Sequence, residues 1–436
     1  MMRWGKIEKI NLIFLTFYSI LWVVFRFIVL ECLFLLQNVQ EADPPKSKDG
    51  STIMELIKDL PSVFEEFAEQ RKNSFLRVKE LKEKGMPVIG VFCTYFPQEI
   101  AMAMGACVVG LCSTSDETVR DAEQDLPSNL CPLIKSSYGF ALTDKCPFFY
   151  FSDLIVGETT CDGKKKMYEF LGEFKPVHIM ELPNRQSESG CRMYREEIIR
   201  FREVLEERFG VEITEEKIRQ AIHTRNEERR ALKSLYELMR LDPVPMKGEQ
   251  LYGVLFGSTF RFDKSRLVAE IDALVAKIRR EYDEGKHLER MPRILVTGSP
   301  SSGGAMKVVR AIEENGGVDV AYENCGGSKS CDEMVDEDNP DVYDALARRY
   351  LNIGCSCMTP NPNRFDLMGR LIEEYKPDAV VEIVLQACHT YAVESTRIKR
   401  FVQDNYGLPY LKVETDYSTT DIGQINTRVS ALIEMI

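Results

Sequence analysis

Cysteines at the ends of apolar runs are the residues of this chain whose type and placement suggest chemistry. The run 148–156 reads as a buried β-strand and is followed by Cys161, and the run 379–385 is followed by Cys388. A helix-like segment comes after each cysteine. Because ligands in open α/β sheets bind outside the carboxyl ends of the strands, we expect both cysteines to lie at a ligand-binding edge.

Four more cysteines fall in loops of the same two regions: Cys131, Cys325, Cys355 and Cys357. Cys131 precedes Pro132 in a predicted loop between strands, where a thiol is poorly placed for core packing. Cys355 and Cys357 are two positions apart, so in an extended segment both would face one side. Thiolates that converge in a dry crevice favour a metal, and several of them favour an iron–sulfur cluster. The alternative for each thiol is a small buried apolar role.

The composition narrows the classes of function. The chain has 436 residues and 13 cysteines, and an odd number at irregular spacing fits a disulfide framework poorly. Four histidines argue against a multi-histidine metal site. The formal net charge of −12 argues against nucleic acid as a partner, because nucleic-acid-binding surfaces are basic. Thiolate is therefore the plentiful soft ligand of this chain.

The N-terminal segment is more hydrophobic than the rest of the chain. The segment 12–36 is apolar apart from Arg26 and Glu31, which is enough for a transmembrane helix of about 20 residues. Arg26 would cost roughly 2.5–3.5 kcal/mol on an insertion scale. The segment is interpreted either as a membrane anchor or as the product of a start codon placed too far upstream, with the true beginning near Met54. The remaining sequence is that of a soluble protein in either case.

The pattern of elements predicts an α/β fold with two parallel sheets. Strand, helix and strand alternate in both regions, and such a pattern implies parallel pairing. Both regions run in a similar order, which suggests an old duplication. The predicted divisions are a hydrophobic leader and linker (1–51), N-terminal helices (52–85), a first α/β domain (86–191), a helical connection (192–291) and a second α/β domain (292–436).

A glycine turn and a histidine complete the candidate residues. The segment 297–304 lies between a strand and a helix, and four of its residues are predicted to line a substrate: Ser301, Ser302, Gly303 and Gly304. It lacks the Gly-Lys-Ser/Thr of a phosphate-binding loop, so an ATP-driven step would belong to a partner. His389, beside Cys388, is a candidate proton donor or simply a polar residue at a helix start. Cys93, Cys112 and Cys191 are weaker candidates, and Cys107 is expected in the core.

Several motifs together resemble the 2-hydroxyacyl-CoA dehydratase family, which includes benzoyl-CoA reductase subunits and the double-cubane-cluster proteins. They are Cys131-Pro, Thr-Thr-Cys161-Asp-Gly-Lys-Lys-Lys, Gln-Ala-Cys388-His and the tail 414–424. The resemblance extends from about Met86 to the C-terminus. No one of these motifs is specific alone, but the combination is.

The resemblance implies two Rossmann-like domains with an iron–sulfur site between them. It also implies a [4Fe–4S] cluster held by Cys131, Cys161 and Cys388. The electron would come from a separate ATP-hydrolysing iron–sulfur activator protein, in an oxygen-sensitive, anaerobic, cytoplasmic system. The substrate would be an acyl-CoA or another small molecule. The dehydratases of this family are heterodimers of related subunits.

Two further motifs look more like the double-cubane branch, which is homodimeric. These are Asn-Cys325-Gly-Gly and Cys355-Ser-Cys357. A double-cubane [8Fe–9S] cluster would take its thiolates from six cysteines: Cys131, Cys161, Cys388, Cys325, Cys355 and Cys357. The expected function is thus an iron–sulfur reductase or dehydratase. A dehydratase subunit with a single cluster, a non-catalytic electron-transfer protein and a zinc protein that uses the same cysteines are the alternatives.

Overall fold

Two parallel β-sheets of four strands each form the framework. The first sheet contains β1 (Val88–Val91), β2 (Cys107–Gly110), β3 (Leu154–Glu158) and β4 (Val177–Met180), in the order β2-β1-β3-β4. The second contains β5 (Arg293–Gly298), β6 (Val318–Glu323), β7 (Ala379–Leu385) and β8 (Tyr410–Thr415), in the order β6-β5-β7-β8. All pairings are parallel, so the predicted α/β class is confirmed. The shared strand order fits a duplication.

The structure is a computed structural model, and it describes residues 74–436. These residues belong to one compact unit, which holds both sheets. The hydrophobic leader, the linker and most of the predicted N-terminal helices lie outside the described residues. Residues 74–83 are helical.

Mostly apolar runs explain the strands β5, β6 and β7 of the second sheet. Every residue of β5, β6 and β7 is buried, as expected for a parallel sheet that is covered on both faces. Gly298 ends β5 with a φ of 101°, and a Cβ there would lie 2.2 Å from the carbonyl oxygen of Ile383. Only glycine fits where the chain turns so close to the neighbouring strand.

Helices cover the sheets and connect them. The helices of the first half are Gln98–Ala103, Val119–Ala122, Pro132–Leu142, Pro147–Phe151 and Asp162–Leu171. Between β4 and β5 along the chain come the helices Glu188–Phe209, Glu215–Tyr236, Gly248–Ser258 and Lys264–Asp283 and the 3-10 turn Glu237–Arg240. The second half contains the 3-10 turn Gly303–Ala305 and the helices Met306–Glu314, Ser328–Cys331, Val342–Leu351, Pro362–Tyr375, His389–Tyr406 and Ile422–Ile433.

The connecting helices tie the two halves into one core. Ser187 caps the helix Glu188–Phe209 by accepting a hydrogen bond from the backbone of Gly190, and this helix packs against Val342–Leu351 of the second half. One hydrophobic cluster contains residues of both sheets, such as Val88 of β1 and Val296 of β5. The two sheets therefore share a core.

The predicted strand 148–156 is wrong in its first half. Pro147–Phe151 is a helix, and β3 begins only at Leu154. Pro147 occupies the first turn of this helix, and the Cys146 side chain accepts a hydrogen bond from the backbone of Phe149. Short apolar runs fit a buried helix as well as a buried strand, and here the local capping decides for the helix.

The strand order sets where a ligand could bind. In each sheet the direction of winding reverses between the two central strands, β1 and β3 or β5 and β7. Ligands of open α/β sheets sit at such a switch point, outside the carboxyl ends of the strands. Cys93 and Cys161 follow the central strands of the first sheet, and Cys388 follows β7. Within residues 74–436, no helix combines the length and apolarity needed to cross a membrane.

Candidate functional site

Three of the predicted cysteines each stand directly before a helix. Cys131 occupies the N-cap position of Pro132–Leu142, Cys161 that of Asp162–Leu171, and Cys388 that of His389–Tyr406, and none of the three side chains accepts a capping hydrogen bond. The first N–H groups of a helix have no partner within it, and its N-terminus carries a partial positive charge. A thiolate or another anionic group is stabilised at such a place.

Cys131 lies at the end of a loop, as predicted, but the expectation that its thiol is poorly placed for core packing is wrong. Cys131 is buried, and the helix begins with Pro132 immediately after it. Proline suits the first helical position, because its missing N–H would have no partner there and its φ already matches a helix. The Cys131-Pro132 pair therefore marks the point where the loop ends and the helix begins.

The thiols of Cys131 and Cys388 interact directly. The hydrogen bond from Cys131 lowers the pKa of Cys388 to about 7, against the effect of its burial. The same hydrogen bond, together with burial, raises the pKa of Cys131 well above its usual value. Cys388 is therefore the partner that ionises first, and Cys131 donates to it. Ala387, just before it, has a φ of 56°, an uncommon conformation for a residue other than glycine.

Cys161 lies beside the segment that carries Cys131. The helix that follows Cys161 packs against the helix that follows Cys131. A Cβ on Gly163 would lie 2.6 Å from the Cδ1 of Ile134 and 3.0 Å from the Cδ1 of Leu130, so the two helix starts approach closely here. Cys161 itself is partly buried.

A second set of thiols comes from two loops of the second half. The neighbouring Cys357 thiol holds the pKa of Cys355 well below its usual value, and Cys355 in turn raises that of Cys357. The Cys355 Sγ lies 3.7 Å from the hydroxyl of Tyr391, and the Cys357 Sγ lies 3.9 Å from that of Tyr95. The expected extended segment is wrong, because the Met358 N–H bonds to the carbonyl of Cys355 and closes a turn.

Cys325 belongs near this second set. Burial, and next the neighbouring Cys355, raise the pKa of Cys325 to about 11. Cys93, a weaker candidate from the sequence, is close to the same group: burial raises its pKa well above the usual value, and Cys325 and Cys355 add to the rise. The signal that could have identified Cys93 is its place directly after β1, beside the switch point.

The first set of thiols (Cys131, Cys161 and Cys388) adjoins the second set (Cys325, Cys355 and Cys357). Charge repulsion from Cys355 opposes the lowering of the Cys388 pKa. The hydroxyl of Ser356 donates to that of Thr390 at 3.0 Å, which joins the turn of the second set to the helix start of the first. Each described cysteine is a free thiol. Among residues 74–436, no three His, Cys, Asp or Glu side chains are gathered closely enough to hold a single metal ion.

Two buried lysines near the thiols were not singled out from the sequence. Lys329 forms an ion pair of 2.8 Å with Glu323, and both side chains are almost fully buried. Its positive charge limits the rise in the pKa of Cys325 and contributes to the lowered pKa of Cys355. Lys164, in the first half, donates to the carbonyl of Phe92 at 3.3 Å. The cationic charge near the thiols thus comes from both halves.

The glycine turn lies between the two halves. A Cβ on Gly303, which has a φ of 59°, would lie 2.1 Å from Thr114 Oγ1, and the N–H of Gly304 donates to the carbonyl of Thr114 at 2.8 Å. Ser301 and Ser302 are buried, and Asn324 donates to the Ser301 hydroxyl at 2.8 Å. The substrate-lining role of these four residues stays a prediction.

The proton-donor role of His389 also stays a prediction. His389 is exposed, and it is the first residue of the helix that follows Cys388.

Comparison with known proteins identifies the family. The family model described as 2-hydroxyglutaryl-CoA dehydratase, D-component, matches residues 93–436. The chain belongs to this family. The match begins at Cys93 and includes both sets of thiols.

Three relatives illustrate the range of the family. The chain is 56% identical over 384 residues to YjiM of Escherichia coli (strain K12), whose name describes a dehydratase subunit; the match covers 88% of this chain and 100% of YjiM. It is 24% identical to the (R)-phenyllactyl-CoA dehydratase beta subunit of Clostridium sporogenes, over 86% of this chain and 97% of that one. It is 23% identical to one of the benzoyl-CoA reductase subunits of Thauera aromatica, over 52% and 59%. An enzymatic role of the dehydratase or reductase type follows.

Proposed function

We propose that this chain is an iron–sulfur reductase or dehydratase that uses low-potential electrons from an ATP-hydrolysing activator protein. The observation that carries the proposal is the meeting of thiols from the two halves, Cys131 with Cys388, at the carboxyl edge of the sheets. Family membership gives the enzymatic class, since its members include named dehydratase and reductase subunits.

The donor set fits an iron–sulfur cluster. The thiols are free, Cys131, Cys161 and Cys388 stand at helix starts that favour anions, and neighbouring thiols hold Cys355 and Cys388 towards the thiolate form. A thiolate-ligated cluster supplies electrons at potentials as low as about −700 mV. Cys131, Cys161 and Cys388 would hold one cubane, and Cys325, Cys355 and Cys357 would extend the set to a double-cubane [8Fe–9S] cluster.

The chain's own residues would prepare the site for reduction. The helix N-termini behind Cys131, Cys161 and Cys388 stabilise negative charge at the thiols. Lys164 and Lys329 add positive charge in a region of low dielectric, where it acts more strongly than in water. The substrate of the double-cubane form would be a small molecule, and the assembly a homodimer.

A single-cluster (R)-2-hydroxyacyl-CoA dehydratase subunit is the second candidate. The relative from Clostridium sporogenes is named as an (R)-phenyllactyl-CoA dehydratase beta subunit, which favours a heterodimer with a related subunit and an acyl-CoA substrate. The hydrogen bond between Cys131 and Cys388 supports this reading equally, because one cubane needs only those two thiols and Cys161.

Anaerobic purification followed by iron and sulfide counting separates the two candidates. A double cubane gives about eight irons per chain, and a single cubane gives about four. Zinc in place of iron, or iron without sulfide, would contradict both. The activator is tested by turnover with a mild reductant: we expect activity only when an iron–sulfur ATPase and ATP are added, and full activity without ATP would contradict its role.

A further inference from the structure

Glu158 is a fully buried carboxyl group without a hydrogen-bond partner. It is the last residue of β3, at the carboxyl end of the first sheet, and neither of its side-chain oxygens has a partner among the described residues. A buried polar group without a partner lowers stability, and a buried charge does so more strongly. Such a group is retained at a functional edge only if it has a use there or receives a partner.

Titratable groups from four segments surround Glu158. They are Lys164 and Tyr168 of the helix Asp162–Leu171, Cys93 after β1, Cys112 after β2 and Tyr194 of the helix Glu188–Phe209. Burial raises the pKa of Glu158 to about 7, and the positive charge of Lys164 limits the rise. Near neutral pH the carboxyl group is therefore divided between its protonated and ionised forms.

Other buried acids of this protein are arranged differently. Glu323 and Glu382 are equally buried, but both form ion pairs with Arg364. Asp319 is also buried without a hydrogen-bond partner, but it is the second residue of β6, at the end of the strand opposite the thiols. Glu158 combines the unpartnered carboxyl group with a place at the thiol edge.

We propose that Glu158 carries the proton that accompanies each electron entering the thiol site. The inference rests on the proposed iron–sulfur function. A one-electron reductant of low potential adds one electron to the site, and Glu158 takes one proton from solvent, so that its O–H bond forms. When the electron leaves to reduce the substrate, that O–H bond breaks and the proton leaves with it. The charge of the region then stays the same in both redox states.

The physical reason is the strength of electrostatic repulsion in the interior. An added negative charge near Glu158 disfavours its ionised form, because like charges interact strongly where the dielectric constant is low. Proton uptake removes that repulsion and makes reduction easier. The midpoint potential of the site must then depend on pH wherever Glu158 is ionised in the oxidised protein and protonated in the reduced one.

The test is an EPR-monitored redox titration of the anaerobically purified protein with dithionite, repeated from about pH 6 to about pH 9. Above about pH 7 we expect the wild-type potential to fall by about 59 mV per pH unit, the value for one proton per electron. Glu158→Gln keeps the shape of the side chain but cannot carry the proton, so its potential should not vary with pH. Asp319→Asn is the matched control, a buried acid away from the thiols, and should keep the wild-type slope.

Each outcome of the titration either supports or overturns the proton-carrying role of Glu158. A pH-independent potential in the wild-type protein, or an unchanged slope in Glu158→Gln, overturns the inference. If Glu158→Gln does not fold, Lys164→Met replaces it. Loss of the lysine charge raises the pKa of Glu158, so the pH range in which the midpoint potential falls with pH should begin at a higher pH. If that range does not move, the inference is overturned. A wild-type protein with no iron–sulfur signal overturns the proposed function itself, which distinguishes that failure from a failure of Glu158.

Discussion

The thiols of Cys131 and Cys388 share a hydrogen bond, although one belongs to the first half of the chain and the other to the second. Each stands at the start of its own helix. The contact therefore joins two helix N-termini as well as two sulfur atoms, and both termini favour negative charge. Replacing either residue removes a ligand candidate and also disturbs the ionisation of the other.

Serine in place of any cysteine of the first set should remove the cluster. Cys131→Ser, Cys161→Ser and Cys388→Ser each substitute a hard hydroxyl for a soft thiolate, which iron–sulfur clusters require. We expect loss of the visible absorbance and of most of the iron in anaerobically purified protein. Cys191→Ser, on the helix Glu188–Phe209, is the control and should keep full iron. Full iron in Cys131→Ser or Cys388→Ser would contradict the assignment.

Serine in the second set should distinguish the two cluster types. For a double cubane, Cys325→Ser, Cys355→Ser and Cys357→Ser should each lower the iron content from about eight towards about four per chain. Cys112→Ser is a close control, because Cys112 donates a hydrogen bond to the carbonyl of Phe92 that a hydroxyl can also make. Unchanged iron in all three variants would favour the single-cluster dehydratase instead.

The sequence predicts the second sheet better than the first, for a physical reason. The strands β5, β6 and β7 are continuous, mostly apolar runs, and their predicted limits agree with the structure to within a residue. The run before β3 is equally apolar, but Pro147 and the Cys146 cap turn its first residues into a helix. Periodicity alone cannot separate these cases when the run is short.

The site is only partly predictable because it depends on which strands are neighbours. Cysteines after strands can be read from the sequence. The strand order places β1 between β2 and β3, and this brings the loop with Cys93 beside Glu158 and Lys164. Nothing in the local sequence of Cys93 indicates that adjacency. The burial of Cys131 is not predictable for a different reason, since a cysteine before a proline in a loop gives no sign that its thiol joins the hydrophobic core.

The stability of the protein should fall as the pH rises from about 4.5 to about 7, in part through Glu313. Burial raises the pKa of Glu313 from 4.5 to about 7. In that range the folded protein binds more protons at this site than the unfolded chain, so folding loses about 1.4 kcal/mol for each unit of pKa difference. Glu313→Gln should flatten the decline in urea unfolding of the protein between pH 5 and pH 8. The exposed neighbour variant Glu314→Gln should not, and an equal effect of both would contradict the prediction.

Among the charged residues, Arg364 should be the one whose loss lowers the free energy of unfolding most. Its guanidinium is fully buried and forms ion pairs with Glu323 at 3.4 Å, Glu382 at 3.0 Å and Glu394 at 2.7 Å. Arg364→Met leaves these carboxylates buried without their common cation, and breaking one side of a buried pair costs about 3–5 kcal/mol.

The matched control for Arg364 is Arg348, which pairs with Glu188 at 2.9 Å on the surface. Arg348→Met should cost about 0–1 kcal/mol, because exposed ion pairs contribute little. Urea unfolding of both variants measures the difference, and equal losses would show that the buried network is not a stabilising element. The Arg364 guanidinium also lies 4.8 Å from the ring centre of Tyr391, whose hydroxyl is near Cys355. The iron content of Arg364→Met should therefore fall as well, because the tyrosine beside the second set of thiols loses its support.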